Sequence, residues 1–358
     1  MRGRWAILVM FFAVFAAAAQ PATETASAKH SRAEMLKLIE KAGNGDAAMQ
    51  FIVGQAYADG DGVDQNFDLA MKWYQRAADQ GNADAENALG IMYRTGSGVD
   101  QSKEEALWWY RKAARQGHGL AMFNLATAYY NGDGVDVSDS AAYAWFTLAK
   151  QAGVNSAAQA VTRLDTELHP WQINDGLKML AEMYAKGEEV KQDDTASAGW
   201  YRKAAERGDK EAQVKLAASL MAGRGVPKDY GEAKKWCDAA AKQRSPAGEV
   251  CLGYLYREGL GVNKDPKEAV KHLSLATQSN NPLAMRILGE MYAGGETGKV
   301  DKVEGFLWYV RAAIRGDQAA RTEAAKIKGE MQPQEWKSAT AKMKQLGIDA
   351  QKVEGFLQ

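Results

Sequence analysis

Histidine and cysteine are the residue types in this chain that could most readily bind a metal or act as acid, base or nucleophile. There are two cysteines and four histidines, namely His30, His118, His169 and His272. No histidine has a second ligand at metal-site spacing, and Cys-x-x-Cys, Gly-x-Ser-x-Gly and Ser-x-x-Lys motifs do not occur in the sequence. The sequence therefore predicts no catalytic residue, no metal site and no cofactor.

Glycine-rich turns look like two kinds of ligand loop, but they lack the residues that would bind. Residues 60–62 and 259–261 have the first half of a Gly-x-Gly-x-x-Gly phosphate motif, without its third glycine or a preceding strand. Residues 59–64 and 131–136 look like calcium loops. A valine and an aspartate stand at the fifth and sixth positions, where an EF-hand needs a ligand and a glycine. We interpret these segments as turns between helices.

The cysteines, Cys237 and Cys251, allow two interpretations. If the protein is exported, it meets an oxidising compartment in which the two thiols can form a disulfide. Both positions also lie on predicted helix faces, where two cysteines can fill a core as small apolar residues. The sequence leaves both alternatives open.

The first residues have the composition of a secretory signal peptide. Arg2 and Arg4 precede an apolar run over residues 5–15, and four alanines follow it. This apolar segment is too short to span a bilayer well. Small-x-small cleavage sites end at Ala19 and at Ala28, and Ala19 is favoured because it lies closer to the apolar run. We expect residues 1–19 (alternatively 1–28) to be removed. The mature protein is then expected to be periplasmic or secreted, with no membrane span.

Composition and charge narrow the class of protein further. Lys+Arg and Asp+Glu are balanced at 45 each, whereas a nucleic-acid binder normally carries a basic excess that neutralises phosphates. Hydrophobic residues make up 46% and charged residues 25% of the chain, which is typical of a folded protein. A nucleic-acid partner is therefore not expected.

The sequence repeats with a period of 36 residues. Glycine, tryptophan, tyrosine and alanine recur in register through seven units, which are residues 46–81, 82–117, 118–153, 173–208, 209–244, 245–280 and 281–316. The tryptophan column contains Trp73, Trp109, Trp145, Trp200, Trp236 and Trp308, and His272 replaces tryptophan in the sixth unit. We expect these tryptophans to fill the space between stacked layers.

Each unit reads as two antiparallel helices joined by a glycine turn. In residues 82–117, apolar residues recur at helical spacing on both sides of the turn Gly96-Ser97-Gly98-Val99. The pattern resembles the Sel1-like repeat, a relative of the tetratricopeptide repeat, through Ala85, Leu89, Gly90, Tyr93, Gly96, Gly98, Val99, Ala106, Trp109, Tyr110, Ala113, Ala114 and Gly117. The resemblance implies an all-α fold, a right-handed α-solenoid of helical hairpins.

Flanking and inserted segments complete the predicted domain organisation. Residues 20–45 are expected to form a linker and a capping helix, with Met35, Leu36, Leu38 and Ile39 inward. Repeats one to three cover residues 46–153 and repeats four to seven cover residues 173–316. Residues 154–172 interrupt the array as a divergent helical insert, with a flexible hinge as the alternative. The residue pattern of this insert recurs 163 residues later in the sequence. Residues 317–358 are expected to be a cap with a shortened eighth repeat.

The first helix of each unit has a stripe opposite its repeat residues that is free to vary. In tetratricopeptide-like superhelices this stripe lines the concave groove. Apolar residues on it are expected to be exposed and to contact a partner. They are Phe51, Ile91, Leu120, Phe123, Val214, Val250, Tyr254 and Leu283.

These features predict a non-catalytic scaffold or adaptor of the bacterial periplasm that binds a protein or peptide partner in the concave groove, with a regulatory or envelope-assembly role. The alternative is a cell-wall or β-lactam hydrolase like the cysteine-rich Sel1-like proteins. That group carries a cysteine pair in each repeat, at places where this chain has alanine, so the analogy is weak. A purely structural spacer is a third possibility.

Overall fold

The computed structural model describes residues 30–357, which form nineteen α-helices and no strand. The signal peptide, its cleavage sites and most of the predicted linker lie outside the described residues. The described part of the chain divides into two compact units, residues 30–121 and 122–357. Helices of similar length alternate with short turns in both units, so the predicted all-α array of hairpins is confirmed.

The first unit contains a capping helix and two hairpins. Its helices are α1 (Arg32–Gly43), α2 (Ala47–Asp59), α3 (Phe67–Asp79), α4 (Ala83–Thr95) and α5 (Lys103–Arg115), and α6 (Gly119–Asn131) begins at its end. α1 packs on α2 through the buried Met35. The inward orientation expected for Leu36 is wrong, because Leu36 follows Met35 on the helix and is rotated away from α2 into solvent.

The second unit contains the remaining helices. They are α7 (Asp139–Gln151), α8 (Asn155–Glu167), α9 (Pro170–Lys186), α10 (Asp194–Glu206), α11 (Lys210–Ala222), α12 (Tyr230–Lys242), α13 (Pro246–Glu258), α14 (Pro266–Thr277), α15 (Pro282–Ala293), α16 (Lys302–Ala313), α17 (Gln318–Glu330), α18 (Pro333–Gln345) and α19 (Ala350–Leu357). From α9 to α16 they form four hairpins, α9–α10, α11–α12, α13–α14 and α15–α16.

Polar residues before the helices explain where they begin. Asp46 accepts hydrogen bonds from the backbone N–H groups of Ala48 and Met49, and Ser102 accepts one from Glu105. An aspartate, asparagine or serine does the same before most other helices, for example at Asn82, Asp193, Asp209, Asp229, Ser245, Asp265, Asn281, Asp301 and Asp317. These side chains satisfy N–H groups that have no partner inside the helix.

The second glycine of a turn is required by the neighbouring repeat. Gly98 has φ +71°, and a Cβ there would lie 2.8 Å from the backbone of Phe67, the first residue of the preceding repeat's second helix. Gly261 approaches Tyr230 in the same way, also at 2.8 Å. These two turns therefore sit on the start of a helix in the repeat before them, which sets the spacing of the stack there.

The insert and the C-terminal segment are built alike. α8 and α17 both have thirteen residues, and their first residues, Asn155 and Gln318, are 163 positions apart. A two-residue link then leads to α9 and α18, which both begin with proline. The backbone N–H before that proline donates to the side chain of Gln172 in one case and Glu335 in the other. Within the insert, Asn155–Glu167 form the helix α8, which packs on α7.

None of the helices in residues 30–357 combines the length and the apolar character needed to cross a bilayer.

Candidate functional site

The histidines take part in separate polar contacts. Nδ1 of His30 lies 2.7 Å from Asp61, Nε2 of His118 lies 3.1 Å from Asp84, and Nδ1 of His272 lies 2.7 Å from Glu249. His169 is the residue before α9, where its backbone N–H donates to Gln172. Among the described residues, no three His, Cys, Asp or Glu side chains converge as a metal site would require. These contacts join neighbouring helices and turns.

In the turn at residues 59–64, the Asp61 carboxylate contacts His30, which lies before α1. Both oxygens of Asp61 accept hydrogen bonds from His30, one from the backbone N–H and one from the ring, each 2.7 Å long. Partial burial, followed by the nearby charge of Asp61, raises the pKa of Asp59. The turn therefore fastens the residues before α1 to the first repeat.

Cys237 on α12 and Cys251 on α13 are joined as a disulfide, with their Cα atoms 5.8 Å apart. Of the two interpretations of these cysteines, the structure thus supports the disulfide. Both cysteines are also buried, so the bond lies in the core between two consecutive repeats.

The predicted groove residues separate into three groups. Leu120, Tyr254 and Leu283 are exposed by 45%, 42% and 41%, as expected. Phe51, Ile91 and Val214 are half-buried. The exposure expected for Phe123 and Val250 is wrong, because only 4% and 8% of these residues is accessible.

The two buried residues, Phe123 and Val250, occupy equivalent positions of their repeats, and each packs with the second helix of its own hairpin. The ring of Phe123 packs against Phe146, with centroids 5.3 Å apart, and Phe51 packs on Tyr74 in the same way at 5.7 Å. Val250 and Leu273 share one core cluster. Tyr74 and Phe146 follow Phe51 and Phe123 by 23 residues, and this recurring aromatic spacing is the signal in the sequence that could have revealed the contact.

The tryptophan column lies partly inside the stack. Trp109, Trp145 and Trp200 are buried, whereas Trp73, Trp236 and Trp308 are half-buried. Cations lie over several of these rings, with Lys203 Nζ 3.8 Å from the Trp200 centroid. The column thus joins core packing to a charged outer face.

Ion pairs link the first helices of consecutive repeats in the second unit. Lys178 on α9 contacts Asp209 and Glu211 at 3.4 and 2.8 Å. Burial opposes its charge, but hydrogen bonds to Glu211 and Asp175 outweigh that effect and raise the pKa of Lys178. Sequence reasoning did not find this pair, because its partners lie more than 30 positions away.

A second ion pair network lies between α13 and α15. Arg257 contacts Glu290 at 2.9 Å and Glu296 at 2.6 Å, and Glu290 also contacts Arg286 at 2.7 Å. The hydrogen bond from Arg257 lowers the pKa of Glu296. The network borders the exposed Tyr254, which precedes Arg257 by one helical turn.

A cleft of about 660 Å³ lies where the insert interrupts the repeats, in the second unit. It is lined by Tyr143, Thr147, Lys150 and Gln151 of α7, Val161 and Asp165 of α8, Leu177 of α9, and Trp200, Lys203, Glu206 and Arg207 on and just after α10. Sequence reasoning missed it, because no repeat pattern shows how four helices meet around an insertion.

Comparisons with known proteins agree with the hairpin architecture. The sequence model of the Sel1 repeat family matches seven segments of this chain, which together are more than half of it. They are residues 47–82, 83–118, 119–154, 175–209, 210–245, 252–281 and 282–317. No curated protein sequence gives a significant match.

The similar solved structures include the following two. One is c5321, a protective antigen of uropathogenic Escherichia coli strains with an SLR fold, at 27% identity and a TM-score of 0.44, over 90% of this chain and 78% of that one. The other is a Sel1 repeat protein from Oxalobacter formigenes, at 30% identity and a TM-score of 0.33, over 68% of this chain and 90% of that one. By its seven repeats, the chain belongs to the Sel1 repeat family.

Proposed function

We propose that this protein is an exported, non-catalytic scaffold that binds a partner polypeptide on the first helices of its repeats and acts in the bacterial envelope. Repeats of this family generally mediate protein interactions. The observation that carries the proposal is the exposure of Tyr254 on α13 and Leu283 on α15, the first helices of two consecutive repeats. Large apolar side chains exposed on adjacent elements tend to mark a contact surface.

The surroundings of these two side chains support a protein partner. Arg257, Glu290 and Arg286 form a chain of ion pairs across α13 and α15. A protein interface typically places aromatic and aliphatic side chains at its centre and polar, charged residues at its border. A few of the large residues supply most of the affinity. We therefore take Tyr254 and Leu283 as anchors of the contact and the ion pairs as its border.

The test is a pull-down of the mature protein from the periplasmic fraction after cross-linking in cells, with partners quantified by mass spectrometry. A Tyr254→Glu/Leu283→Glu variant should lose a specific partner while its melting temperature stays close to that of the parent. Leu275→Glu is the matched control, because Leu275 is also 41% exposed but lies on α14, a second helix.

Two outcomes would reject the proposal. If the double variant retained every partner, the first-helix stripe would not be the contact surface, and a structural spacer would be the better interpretation. If the protein remained in the cytoplasm with residues 1–19 still attached, the envelope role would be wrong.

A further inference from the structure

The cleft beside the insert exists because α8 has no second helix of its own. A two-residue link joins α8 directly to α9, and both helices pack on α7. α9 then pairs with α10 as a normal repeat. The hairpin that α8 would begin is therefore incomplete, and a space remains between α7, α8 and α10 with Leu177 of α9 on its wall.

The floor of this cleft is apolar and preformed. Tyr143, Val161, Leu177 and Trp200 line it, and each keeps only 4–7% of its surface accessible. The hydroxyl of Tyr143 donates to Asp165 at 2.9 Å, which ties α7 to α8 across the cleft. A rigid floor with aromatic walls lowers the entropic cost of binding a flexible ligand.

The rim carries three exposed cations, Lys150, Lys203 and Arg207. Nε of Arg207 donates to Asn174 at 3.1 Å, which fixes the guanidinium plane. Lys203 lies over the Trp200 ring. Among residues 30–357, none of these three cations forms an ion pair with a carboxylate.

The lining carries three cations and two acids, so its formal charge is positive by one. Asp165 accepts the Tyr143 hydrogen bond, and Glu206 is the only other acid in the lining. Each cation lies in or just after the last turn of its helix, where the dipole favours positive charge. That preference explains a single cation at each helix end, but not why the ends of α7 and α10 face one cleft.

The size of the cleft indicates the kind of occupant. A volume of about 660 Å³ holds several side chains and is far larger than one small anion needs. Acidic segments are recognised by clusters of basic residues, and Arg presents a fork that matches a carboxylate. Aliphatic side chains would cover the floor formed by Val161, Leu177 and Trp200.

We infer that the cleft between α7, α8 and α10 binds an acidic, aliphatic peptide segment of the partner, whose carboxylates contact Lys203 and Arg207. This inference rests on the proposed function and adds a second contact, separate from Tyr254 and Leu283. The insert is then the element that turns a regular array into one with a specific peptide site.

Selection of short random peptides displayed on phage, with the intact mature protein as target, tests this inference. The enriched peptides, synthesised with a fluorescent label, should combine Asp or Glu with Leu, Ile or Met. Lys203→Glu/Arg207→Glu should weaken their binding about tenfold or more, because charge-assisted hydrogen bonds are lost. Arg76→Glu is the matched control, since Arg76 also lies over a tryptophan, Trp73, in a repeat that has no insert.

A neutral variant separates charge from folding. Lys203→Gln/Arg207→Gln should weaken binding less than the glutamates, and both variants should keep the parent's helical signal and cooperative melting. Binding should also weaken as salt is raised.

Other outcomes would overturn the inference. Enrichment of basic peptides, or equal binding by the Lys203→Glu/Arg207→Glu variant, would show that the cleft does not bind acidic segments. Displacement of the peptides by inorganic phosphate alone would make it a small-anion site. If the protein formed a dimer and the Lys203→Glu/Arg207→Glu variant were monomeric, the occupant of the cleft would be a second copy of the chain.

The two proposals fail differently. Peptides that bind but respond only to Tyr254→Glu/Leu283→Glu would leave the proposed function intact and reject the cleft. If no peptide were enriched and no partner were cross-linked in cells, both would be rejected.

Discussion

The carboxylate of Glu86 is completely buried, and its Oε1 atom lies 3.1 Å from Nζ of Lys112 on the next helix. Its other oxygen accepts a hydrogen bond from Gln116 at 2.6 Å. Lys112 also donates to the carbonyl of Ala78 in the preceding repeat. One buried acid therefore organises contacts within a hairpin and, through Lys112, between two hairpins.

Removing the cation should be costly. Lys112→Met leaves the buried carboxylate with Gln116 as its remaining partner, so we expect a loss of about 2–4 kcal/mol in the free energy of unfolding. Chemical denaturation monitored by circular dichroism measures this loss.

Neutralising the acid provides the control. In other repeats the corresponding contact joins two glutamines, Gln50 with Gln80 at 2.7 Å and Gln213 with Gln243 at 3.0 Å. Glu86→Gln should reproduce this neutral pair and change stability by less than about 1 kcal/mol. Equal losses from Lys112→Met and Glu86→Gln would mean that charge is unimportant at this position.

Gly90 should not tolerate a side chain. A Cβ at Gly90 would lie 2.5 Å from the ring of Tyr110, which is buried and cannot move aside, and 3.2 Å from the carbonyl of Ala106. Gly90→Ala should therefore cost about 1–3 kcal/mol through overpacking. Gly199→Ala is the control, because nothing lies within 4 Å of its Cβ position on α10, and the better helix propensity should stabilise the protein by up to about 1 kcal/mol. A melting series of the two variants compares them directly.

Phe123 is a core residue, so its substitution should affect folding and not only binding. Phe123→Ala removes the ring that packs on Phe146 and should cost about 3–5 kcal/mol. Leu120→Ala, on the same helix but 45% exposed, should cost well under half of that. Thermal unfolding of both variants distinguishes the faces of α6. A loss below about 1 kcal/mol for Phe123→Ala would show that Phe123 is not buried in solution.

The sequence predicts the repeat architecture because the same physical requirement recurs in each unit. Gly90 and its counterparts allow the hairpin helices to approach, and alanines and tryptophans fill the layers. The insert was also recognisable, since Leu164 and Leu180 have buried equivalents 163 positions later in Ile327 and Met343.

The candidate sites were harder to predict from the sequence than the fold. Helical periodicity places Phe123 and Leu120 on one stripe but does not show that the Phe123 ring extends to Phe146 on the next helix. Lys150 and Arg207 are more than 50 positions apart, and they line one cleft only because α8 and α9 both pack on α7. Side-chain reach and helix placement, which are properties of the packed structure, decide these features.

The Cys237–Cys251 disulfide should stabilise the second unit under oxidising conditions. The bond closes a loop with a sequence separation of 14, and loops of this size are expected to contribute about 3 kcal/mol. A reducing agent should lower the melting temperature of the parent protein but not of a Cys237→Ala/Cys251→Ala variant. An unchanged parent melting temperature would show that the bond contributes nothing to stability.

Acid should weaken the contact between α13 and α15 through Glu296. Because the hydrogen bond from Arg257 lowers the pKa of Glu296 in the folded protein, the unfolded chain binds a proton there more readily than the folded chain does. The stabilisation is complete above the ordinary glutamate pKa of 4.5 and is lost as the pH falls through the lowered value. Glu296→Gln should reduce the dependence of unfolding free energy on pH below that point, and Arg257→Met should remove much of the same dependence. If the pH profile of Glu296→Gln matched that of the parent between neutral and acidic pH, this ion pair would not couple proton binding to folding.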